Sequence, residues 1–294
     1  MRKITKGIVL AGGLGTRLNP STKIFSKHFI PIFDKPMIYY SLSTLMLSGI
    51  RDIAIVSDND SSGLYKKLIG KGKQWGINIE YFTQEKPRGI AEVFIIVRDF
   101  IHKNYCTLIL GDNLFFGHNF QETLISNSKF KDGAKIYAYQ VSDPKNYGVI
   151  NFNKKGKITK IEEKPKKPKS KYAVTGLYSY DDSVFEIAKD IKPSKRGELE
   201  ITDINNFYLK KNKLSCEILG RGIAWLDTGT FEDILNASNF VQTIEKRQGL
   251  KIACLEEIAW RKKWVSSSKL LNYLPKKITN SYDKYIYNLI KDTK

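Results

Sequence analysis

The sequence has few cysteines, few histidines and no long apolar run, and each shortage excludes a class of protein. Its three cysteines, Cys106, Cys216 and Cys254, have no paired spacing, which argues against a disulfide framework or a cysteine zinc site and is typical of a reducing cytoplasm. The three histidines form no HxxxH or HxH pattern, so a histidine metal site is not expected. No apolar run approaches the roughly 20 residues of a membrane-spanning helix. The apolar part of MRKITKGIVLAGG is too short for a signal peptide, so we expect a cytoplasmic protein.

Acidic residues are also scarce, with 30 Asp and Glu against 49 Lys and Arg and a net charge of +19. This charge is compatible with attraction to nucleic acid, an anionic membrane face or phosphorylated substrates. The lysines are dispersed, as in KPKKPKSK from Lys164 to Lys171, and zinc-finger, RNP-type or basic heptad motifs are absent. We interpret the charge mainly as a lysine-rich solvated surface that helps to draw in anionic substrates. Neither a nucleic-acid nor a membrane partner is expected.

Short β-rich apolar runs alternate with helical patterns over the first two thirds of the chain. The candidate strands are 7–11, 52–57, 78–84, 106–112 and 134–141, and the candidate helices between them are 37–49 and 90–101. Strands that alternate with crossover helices predict a Rossmann-like α/β fold, a doubly wound and mostly parallel sheet with helices on both faces.

The pattern changes after residue 140. Short strands and turns over 147–180, with KKGK as a hairpin turn, predict a β-rich insertion. A helix is predicted in RGELEITDINNFYLKK, a strand in LSCEILG, and a long amphipathic helix in FEDILNASNFVQTIEKRQG, ended by Gly249. We expect one α/β domain over 1–250, divided at about 1–140 and 141–230, and a small helical appendage over 251–294.

A glycine-rich turn, LAGGLGTRL, directly follows the first predicted strand. Gly12, Gly13 and Gly15 leave backbone N–H groups unshielded, so the turn can surround phosphate oxygens. Arg17 adds a permanent fork of donors, and Lys27 lies ten residues further on. The turn is neither a P-loop nor a GxGxxG fingerprint. A tight turn without a ligand is the alternative, which the two cations make less favourable.

Two aspartates end predicted strands, Asp112 in TLILGDN and Asp227 in AWLDTG. Ligands of α/β sheets bind at the carboxyl ends of the strands. Magnesium prefers oxygen ligands, often one or two carboxylates completed by water and substrate phosphates. An aspartate that only caps a loop is the alternative for either residue taken alone.

Motifs along nearly the whole chain resemble one enzyme family. GIVLAGGLGTRLNPSTKIFSKHFIPIFDKPMIYY is similar to the opening of the nucleotidyltransferases that activate sugar 1-phosphates, and closest to the bacterial glucose-1-phosphate thymidylyltransferases. LGDNLFFGH, DPKNYGVI, EEKPKKPKSKYAVTGLY, RGELEITDIN, GRGIAWLDTGT and ASNFVQTIEKRQGLKI continue the similarity in order.

The resemblance implies a reaction. In that family the oxygen of α-D-glucose 1-phosphate attacks the α-phosphorus of dTTP with Mg²⁺, giving dTDP-glucose and pyrophosphate, the first step towards deoxysugars such as dTDP-rhamnose. It implies a nucleotide-binding part over about 1–140 and a sugar-binding part over 141–230. It also implies a homotetramer inhibited by a dTDP-sugar end product, with contacts from the C-terminal helices.

The resemblance also implies residue roles. The catalytic residues would be Arg17, Lys27, Asp112 and Lys164, and the Mg²⁺ ligands Asp112 and Asp227. The nucleotide would contact Gly12, Gly13, Gly15, Thr16, Arg17, Lys27, His28, Gln84, Gly89 and Asp112, with Gln84 and Gly89 reading thymine. The sugar phosphate would contact Tyr147, Gly148, Glu163, Lys164, Val174 and Arg196, with Trp225 shaping the pocket. Arg88 and His28 depart from the acid and the glutamine common in close relatives.

Three other functions stay open at this point. The same chemistry with another substrate, such as UTP, is the nearest. A catalytically inactive binding protein on the same scaffold is less compatible with intact Arg17, Lys27, Asp112 and Asp227. A charge-driven nucleic-acid binder is disfavoured by the dispersed lysines.

Overall fold

Strands and helices alternate through most of the computed structural model, which describes residues 2–13 and 15–292. In this part of the chain, strands β1 to β15 are Arg2–Lys3, Lys6–Leu10, Pro31–Ile32, Lys35–Pro36, Asp52–Ser57, Asn78–Thr83, Cys106–Leu110, Asn113–Gly117, Lys129–Phe130, Ala134–Gln140, Gly148–Phe152, Ile158–Glu163, Tyr172–Tyr180, Leu214–Ile218 and Ile223–Asp227. Helices α1 to α11 are Ile38–Leu47, Asn59–Ile69, Val93–Ile96, Arg98–Ile101, Phe120–Asn127, Val184–Asp190, Ile201–Lys210, Phe231–Gln248, Leu255–Arg261, Ser267–Tyr273 and Ser281–Asp292. Short 3-10 turns lie at Thr16–Leu18, Ser21–Lys23, Lys27–Phe29, Lys73–Trp75 and Ile90–Glu92.

One large sheet organises the fold. Its strand order is β12-β11-β13-β7-β2-β5-β6, and β10 and β14 extend it from β13. Strands β7, β2, β5 and β6 run parallel to one another, whereas β13 is antiparallel to β7, β10 and β11. The predicted α/β fold is confirmed: β2, β5, β6 and β7 in the first half of the chain are parallel, β14 adds a parallel pairing with β10, and antiparallel pairing is concentrated in the insertion.

Both faces of this sheet are covered. Successive residues of β2 point to opposite sides, since Ile8 packs in one apolar cluster and Val9 in another. The cluster around Val9 includes side chains of α1, and the cluster around Ile8 includes side chains of α3 and α6. Burial on both faces explains why these strands read as nearly continuous apolar runs.

Several helices differ from the sequence prediction. The predicted helix over 90–101 is interrupted: a 3-10 turn leads into α3, and Val97 (φ −97°, ψ 20°) separates α3 from α4. Helices α2, α5 and α6 have no counterpart in the sequence prediction, and the sequence of α2, NDSSGLYKKLI, is polar. Asp58 begins α2 by accepting a hydrogen bond from the Ser61 N–H at 2.8 Å.

A two-stranded ladder separate from the large sheet determines where the site forms. Strand β8 pairs antiparallel with β15, and Asn113 lies opposite Asp227. The backbone N–H of Thr228 donates to the carbonyl of Asp112 at 3.0 Å. The ladder therefore brings together two aspartates that are far apart in the sequence.

The insertion and the long helix agree with the sequence prediction. Strands β11 and β12 form the expected hairpin, with Gly148 opposite Glu163. Helix α8 begins with a reciprocal capping box between Thr230 and Asp233, and ends at Gly249 with φ 69°.

The last three helices pack against the N-terminal half. Leu255 and Ala259 of α9 and Ile286 of α11 belong to the same apolar cluster as Val9 and Leu42. Within residues 2–13 and 15–292, no helix combines the length and apolar character needed to cross a membrane.

Candidate active site

A cleft of about 770 Å³ opens at the carboxyl ends of the parallel strands and beside the insertion. Most residues proposed from the sequence line it, although they come from distant segments. They are Gly15, Thr16, Arg17, Lys27, Asp112, Tyr147, Gly148, Glu163, Lys164, Val174, Arg196, Trp225 and Asp227. A neighbouring cavity of about 450 Å³ is lined by Gly13 and Gln84, and Lys27 lies on both.

The glycine turn leads directly into Arg17, which lines the cleft. Gly13 (φ 103°) and Gly15 (φ 58°) adopt left-handed conformations that favour glycine. The Thr22 hydroxyl donates to the Gly15 carbonyl at 2.8 Å and closes the turn. A β-carbon on Gly229 would lie 3.4 Å from Nη1 of Arg17 and 4.0 Å from Oδ2 of Asp227. The guanidinium and the Asp227 carboxylate therefore both lie close to Gly229.

Lys27 and Asp112 form an ion pair through Nζ and Oδ2, with both side chains largely buried. Burial alone would raise the pKa of Asp112, but the charge of Lys27 and the hydrogen bonds from Lys27 and Asn113 outweigh it and lower this pKa to about 2. Asp112 is therefore a permanent anion at neutral pH.

The pKa of Asp227 is shifted in the opposite direction. Burial and the charge of Asp112 raise its pKa to about 7, against the opposing influence of Lys27 and Arg17. Two interacting carboxylates, one with a lowered pKa and one with a raised pKa, are typical of a site that binds a cation.

No group of three or more His, Cys, Asp or Glu side chains arranged for a metal occurs within residues 2–13 and 15–292. Two carboxylates completed by water and phosphate oxygens fit Mg²⁺ better than a metal that requires a full protein cage.

Asn113 orients the Asp112 carboxylate, a role the sequence did not reveal. Its Oδ1 accepts from the Gly176 N–H at 3.0 Å and from the Trp225 indole N–H at 2.6 Å. Because both partners are donors, Nδ2 must point the other way, and it donates to Asp112 Oδ1 at 3.0 Å. A β-carbon on Gly176 would approach the Asn113 amide to 2.6 Å, so glycine leaves room for this arrangement.

His28 does not line either cavity. Its ring is 1% exposed, and Nδ1 lies 2.8 Å from the Ser26 hydroxyl and 3.1 Å from the Tyr65 hydroxyl. Burial and the charge of Lys27 lower the pKa of His28 to about 3, so the ring is neutral. The structure places this ring beneath Gly111, where it supports the segment that carries Lys27 and Asp112.

Gln84 lines the smaller cavity and contacts Gly89, which does not line it. Nε2 of Gln84 donates to the Gly89 carbonyl at 3.3 Å and to Oε2 of Glu92 at 2.8 Å. Gly89 has φ 111°, and a β-carbon there would lie 2.4 Å from the Leu199 carbonyl oxygen. Glycine is therefore required where these two loops touch.

The insertion forms the opposite wall. Oε2 of Glu163 accepts from the Thr202 hydroxyl at 2.5 Å, and the Lys164 N–H donates to the Tyr147 carbonyl at 3.0 Å. The Tyr147 ring packs edge-on against Trp225 at 5.2 Å between ring centroids. This side of the cleft therefore presents the Glu163 carboxylate, the Lys164 ammonium group and an aromatic surface.

Arg196 lines the cleft but is already paired with three carboxylates. Its guanidinium lies 2.6 Å from Glu198, 3.4 Å from Glu200 and 3.9 Å from Glu163. The resemblance predicted Arg196 as a phosphate contact, whereas the pairing residues Glu198 and Glu200 were not anticipated.

Comparison with known proteins agrees with this geometry. The family model described as nucleotidyl transferase matches residues 6–244. A Neisseria meningitidis glucose-1-phosphate thymidylyltransferase is 50% identical over 286 residues, covering 97% of this chain and 99% of the relative. A Xanthomonas campestris protein of the same name is 49% identical over 97% of both chains.

A solved structure extends the likeness to three dimensions. The crystal structure of a UDP-glucose pyrophosphorylase complexed with UDP-glucose superposes with a TM-score of 0.71 at 26% identity, over 82% of this chain and 99% of that one. The chain is therefore an enzyme of the nucleotidyl transferase family, and belongs with its glucose-1-phosphate thymidylyltransferases.

Proposed function

We propose that the enzyme transfers the thymidylyl group of dTTP to α-D-glucose 1-phosphate and releases pyrophosphate. The observation that carries this proposal is the convergence of Asp112 and Asp227 on Arg17 and Lys27 in one cleft. The names of the relatives, from Neisseria meningitidis and Xanthomonas campestris, support the same substrates.

The positive charges in the cleft offset the repulsion between the two anionic substrates. A sugar-phosphate dianion must approach a triphosphate with about four negative charges, and repulsion between like charges is large in a cleft that excludes water. Arg17 binds phosphate oxygens through its fork of donors, and Lys27 acts as a compact cation. Both cations line the cleft, so they would align the triphosphate and stabilise the departing pyrophosphate.

We propose Mg²⁺ as the cofactor, held by Asp112 and Asp227. When bound, the ion would supply charge neutralisation and alignment of phosphate oxygens. Lys27 would then exchange part of its contact with Asp112 for the triphosphate. Asn113 would keep the Asp112 carboxylate in place during this exchange, because its own amide is fixed by Gly176 and Trp225.

The smaller cavity is proposed as the base site. Gln84 borders it, and its amide oxygen lies over Gly12, where a β-carbon would come within 3.1 Å. That oxygen can accept the N3–H of thymine. Gly89 allows the 86–91 segment to close beside the base.

The sugar phosphate is proposed to bind against the insertion. Glu163 would accept from sugar hydroxyls, with Gly148 and Val174 beside it, and Lys164 would bind the attacking phosphate. The attacking oxygen is already ionised, so no side-chain base is needed. Arg196 would join the phosphate only after it is released from its carboxylate partners.

The cellular context belongs to the same proposal. We propose a cytoplasmic homotetramer that supplies a deoxysugar pathway such as that of dTDP-rhamnose, with feedback by a dTDP-sugar. A titration with dTDP-rhamnose that leaves the rate unchanged would remove the feedback, and a monomeric mass in solution would remove the assembly.

Pyrophosphate release from dTTP and glucose 1-phosphate, with UTP as the competitor, tests the reaction. UTP is the relevant rival because a similar structure is that of a UDP-glucose pyrophosphorylase. A strong preference for UTP would contradict the proposal, and no release with any triphosphate would indicate an inactive binding protein.

A further inference from the structure

We propose that Glu92 determines which bases the enzyme accepts, by holding the Gln84 amide in one orientation. This inference rests on the proposed function, since it concerns the same base site. Nε2 of Gln84 donates to Oε2 of Glu92 at 2.8 Å and to the Gly89 carbonyl at 3.3 Å. An amide nitrogen has two N–H groups, and both are taken by these acceptors.

The reverse orientation of the amide is unfavourable. It would place Oε1 of Gln84 against a carbonyl oxygen and a carboxylate, which offer no proton. The Gln84 side chain is 6% exposed, so little water is available to relieve that contact. Oε1 is therefore directed over Gly12, next to the cavity proposed for the base.

Glu92 is itself held firmly. It ends a 3-10 turn between Ala91 and Val93, whose side chains are fully buried. The Ala91 N–H donates to the Leu199 carbonyl at 3.1 Å. The Glu92 carboxylate is 15% exposed and lies 3.8 Å from Arg88, whose side chain is 63% exposed. Glu92 therefore makes its close contact with the buried Gln84 amide, whereas the exposed Arg88 is more distant.

The chemical consequence is selection for a base that presents an imino N–H. Thymine and uracil carry a proton at N3, where cytosine has a lone pair. An oxygen fixed towards N3 accepts from the first two and repels the third. Glu92 is thus a positioning residue: it does not touch the nucleotide, and it makes Gln84 an acceptor. Thymine and uracil are not separated by this contact.

The wild-type enzyme provides a test that needs no variant. With saturating glucose 1-phosphate, kcat/KM for dTTP should exceed that for dCTP and for N3-methyl-dTTP by about 100-fold or more, because both analogues lack the N3 proton. Comparable kcat/KM values for dTTP and dCTP, within tenfold, would overturn the proposal.

The variant Glu92→Gln then isolates the positioning role. Its amide can donate to Oε1 of Gln84, so the reversed orientation becomes possible. The dTTP-to-dCTP ratio should fall by roughly tenfold, mainly through a gain for dCTP, while the melting temperature stays near that of the wild type. Arg88→Gln, which removes the distant partner of Glu92, is the matched control and should keep the ratio.

A purely structural role for Glu92 would lower turnover with every triphosphate equally and leave the ratio unchanged, which contradicts the proposal. Equilibrium binding of dTTP and dCTP gives the same comparison if turnover is too slow to measure. A wild-type preference for UTP would overturn the proposed substrate only, because UTP and CTP differ at N3 in the same way and serve as the test pair.

Discussion

The Asn113 amide donates to Oδ1 of Asp112 at 3.0 Å, and its own oxygen accepts from two donors fixed elsewhere in the fold. One of these donors is the indole of Trp225, which packs against Tyr147 on the sugar side of the cleft. The proposed metal ligand and the proposed sugar pocket are therefore joined through one buried side chain.

Asn113→Asp should abolish most of the activity. The new carboxylate can still accept hydrogen bonds from Gly176 and Trp225. However, the N–H donor that faces Asp112 is replaced by a negatively charged oxygen, which repels the Asp112 carboxylate. We expect kcat to fall by about 100-fold or more, as when a preorganised polar contact in an active site is lost. Steady-state kinetics measure this, with Asn212→Asp on the surface as the control. Near-wild-type kcat in Asn113→Asp would show that the orientation of Asp112 does not matter.

Asp227→Asn should lose Mg²⁺-dependent turnover and gain stability without the metal. The folded pKa of Asp227, raised to about 7 by burial and Asp112, lies above the value of the unfolded chain. Such a carboxyl makes the fold less stable as pH rises through that interval, because the unfolded chain gives up its proton first.

In Mg²⁺-free buffer at pH 8, thermal melting should therefore show Asp227→Asn above the wild type, with the difference shrinking towards pH 4. Asp190→Asn, an exposed substitution, is the control. A variant that melts below the wild type at pH 8 would argue against repulsion between Asp112 and Asp227.

His28→Gln should reduce the sensitivity of the fold to acid. The folded pKa of His28, lowered to about 3 by burial and Lys27, lies below that of an unfolded histidine. The unfolded chain therefore gains a proton first as pH falls from about 6.5 towards 3, and the wild type loses stability over that interval, on the order of a few kcal/mol.

Urea unfolding at pH 7 and pH 4.5 measures this loss. It should be smaller in His28→Gln, whereas His102→Gln, at an exposed position, should lose as much as the wild type. Equal losses in all three proteins would show that His28 is not the buried neutral ring described.

Gly89→Ala should weaken both the fold and dTTP binding. The new β-carbon would lie 2.4 Å from the Leu199 carbonyl oxygen, at a φ of 111° that alanine rarely adopts. We expect a loss of about 2 kcal/mol or more in the free energy of unfolding, together with a raised KM for dTTP.

Gly63→Ala is the control, for which we expect an opposite effect on the free energy of unfolding. Gly63 lies inside helix α2, and its added β-carbon meets nothing within 4 Å. Alanine there should stabilise the protein by roughly 0.5–1 kcal/mol. A neutral effect of Gly89→Ala on unfolding and on KM would contradict the close approach of the two loops.

The sequence predicts the parts of the site that leave a local pattern. Strand-end acids mark Asp112 and Asp227, and a glycine turn followed by cations marks Arg17 and Lys27; the structure brings all four to one cleft. The parallel strands are equally visible, since burial on both faces produces apolar runs.

Other features depend on pairing between distant segments and have no local signature. The β8–β15 ladder joins residues more than a hundred positions apart, and the orientation of Asn113 depends on Gly176 and Trp225. His28 was predicted to contact the nucleotide through its place beside Lys27, yet its ring turns inward to Ser26 and Tyr65. A motif gives a residue's place in the chain, whereas packing decides which way its side chain points.

The most direct test is pyrophosphate release across a matrix of nucleoside triphosphates and sugar 1-phosphates, with and without Mg²⁺. We expect the fastest release with dTTP and glucose 1-phosphate, and its loss when Mg²⁺ is removed or when Asp112 or Asp227 is changed to asparagine. Undiminished release from the double variant Asp112→Asn/Asp227→Asn would contradict this expectation.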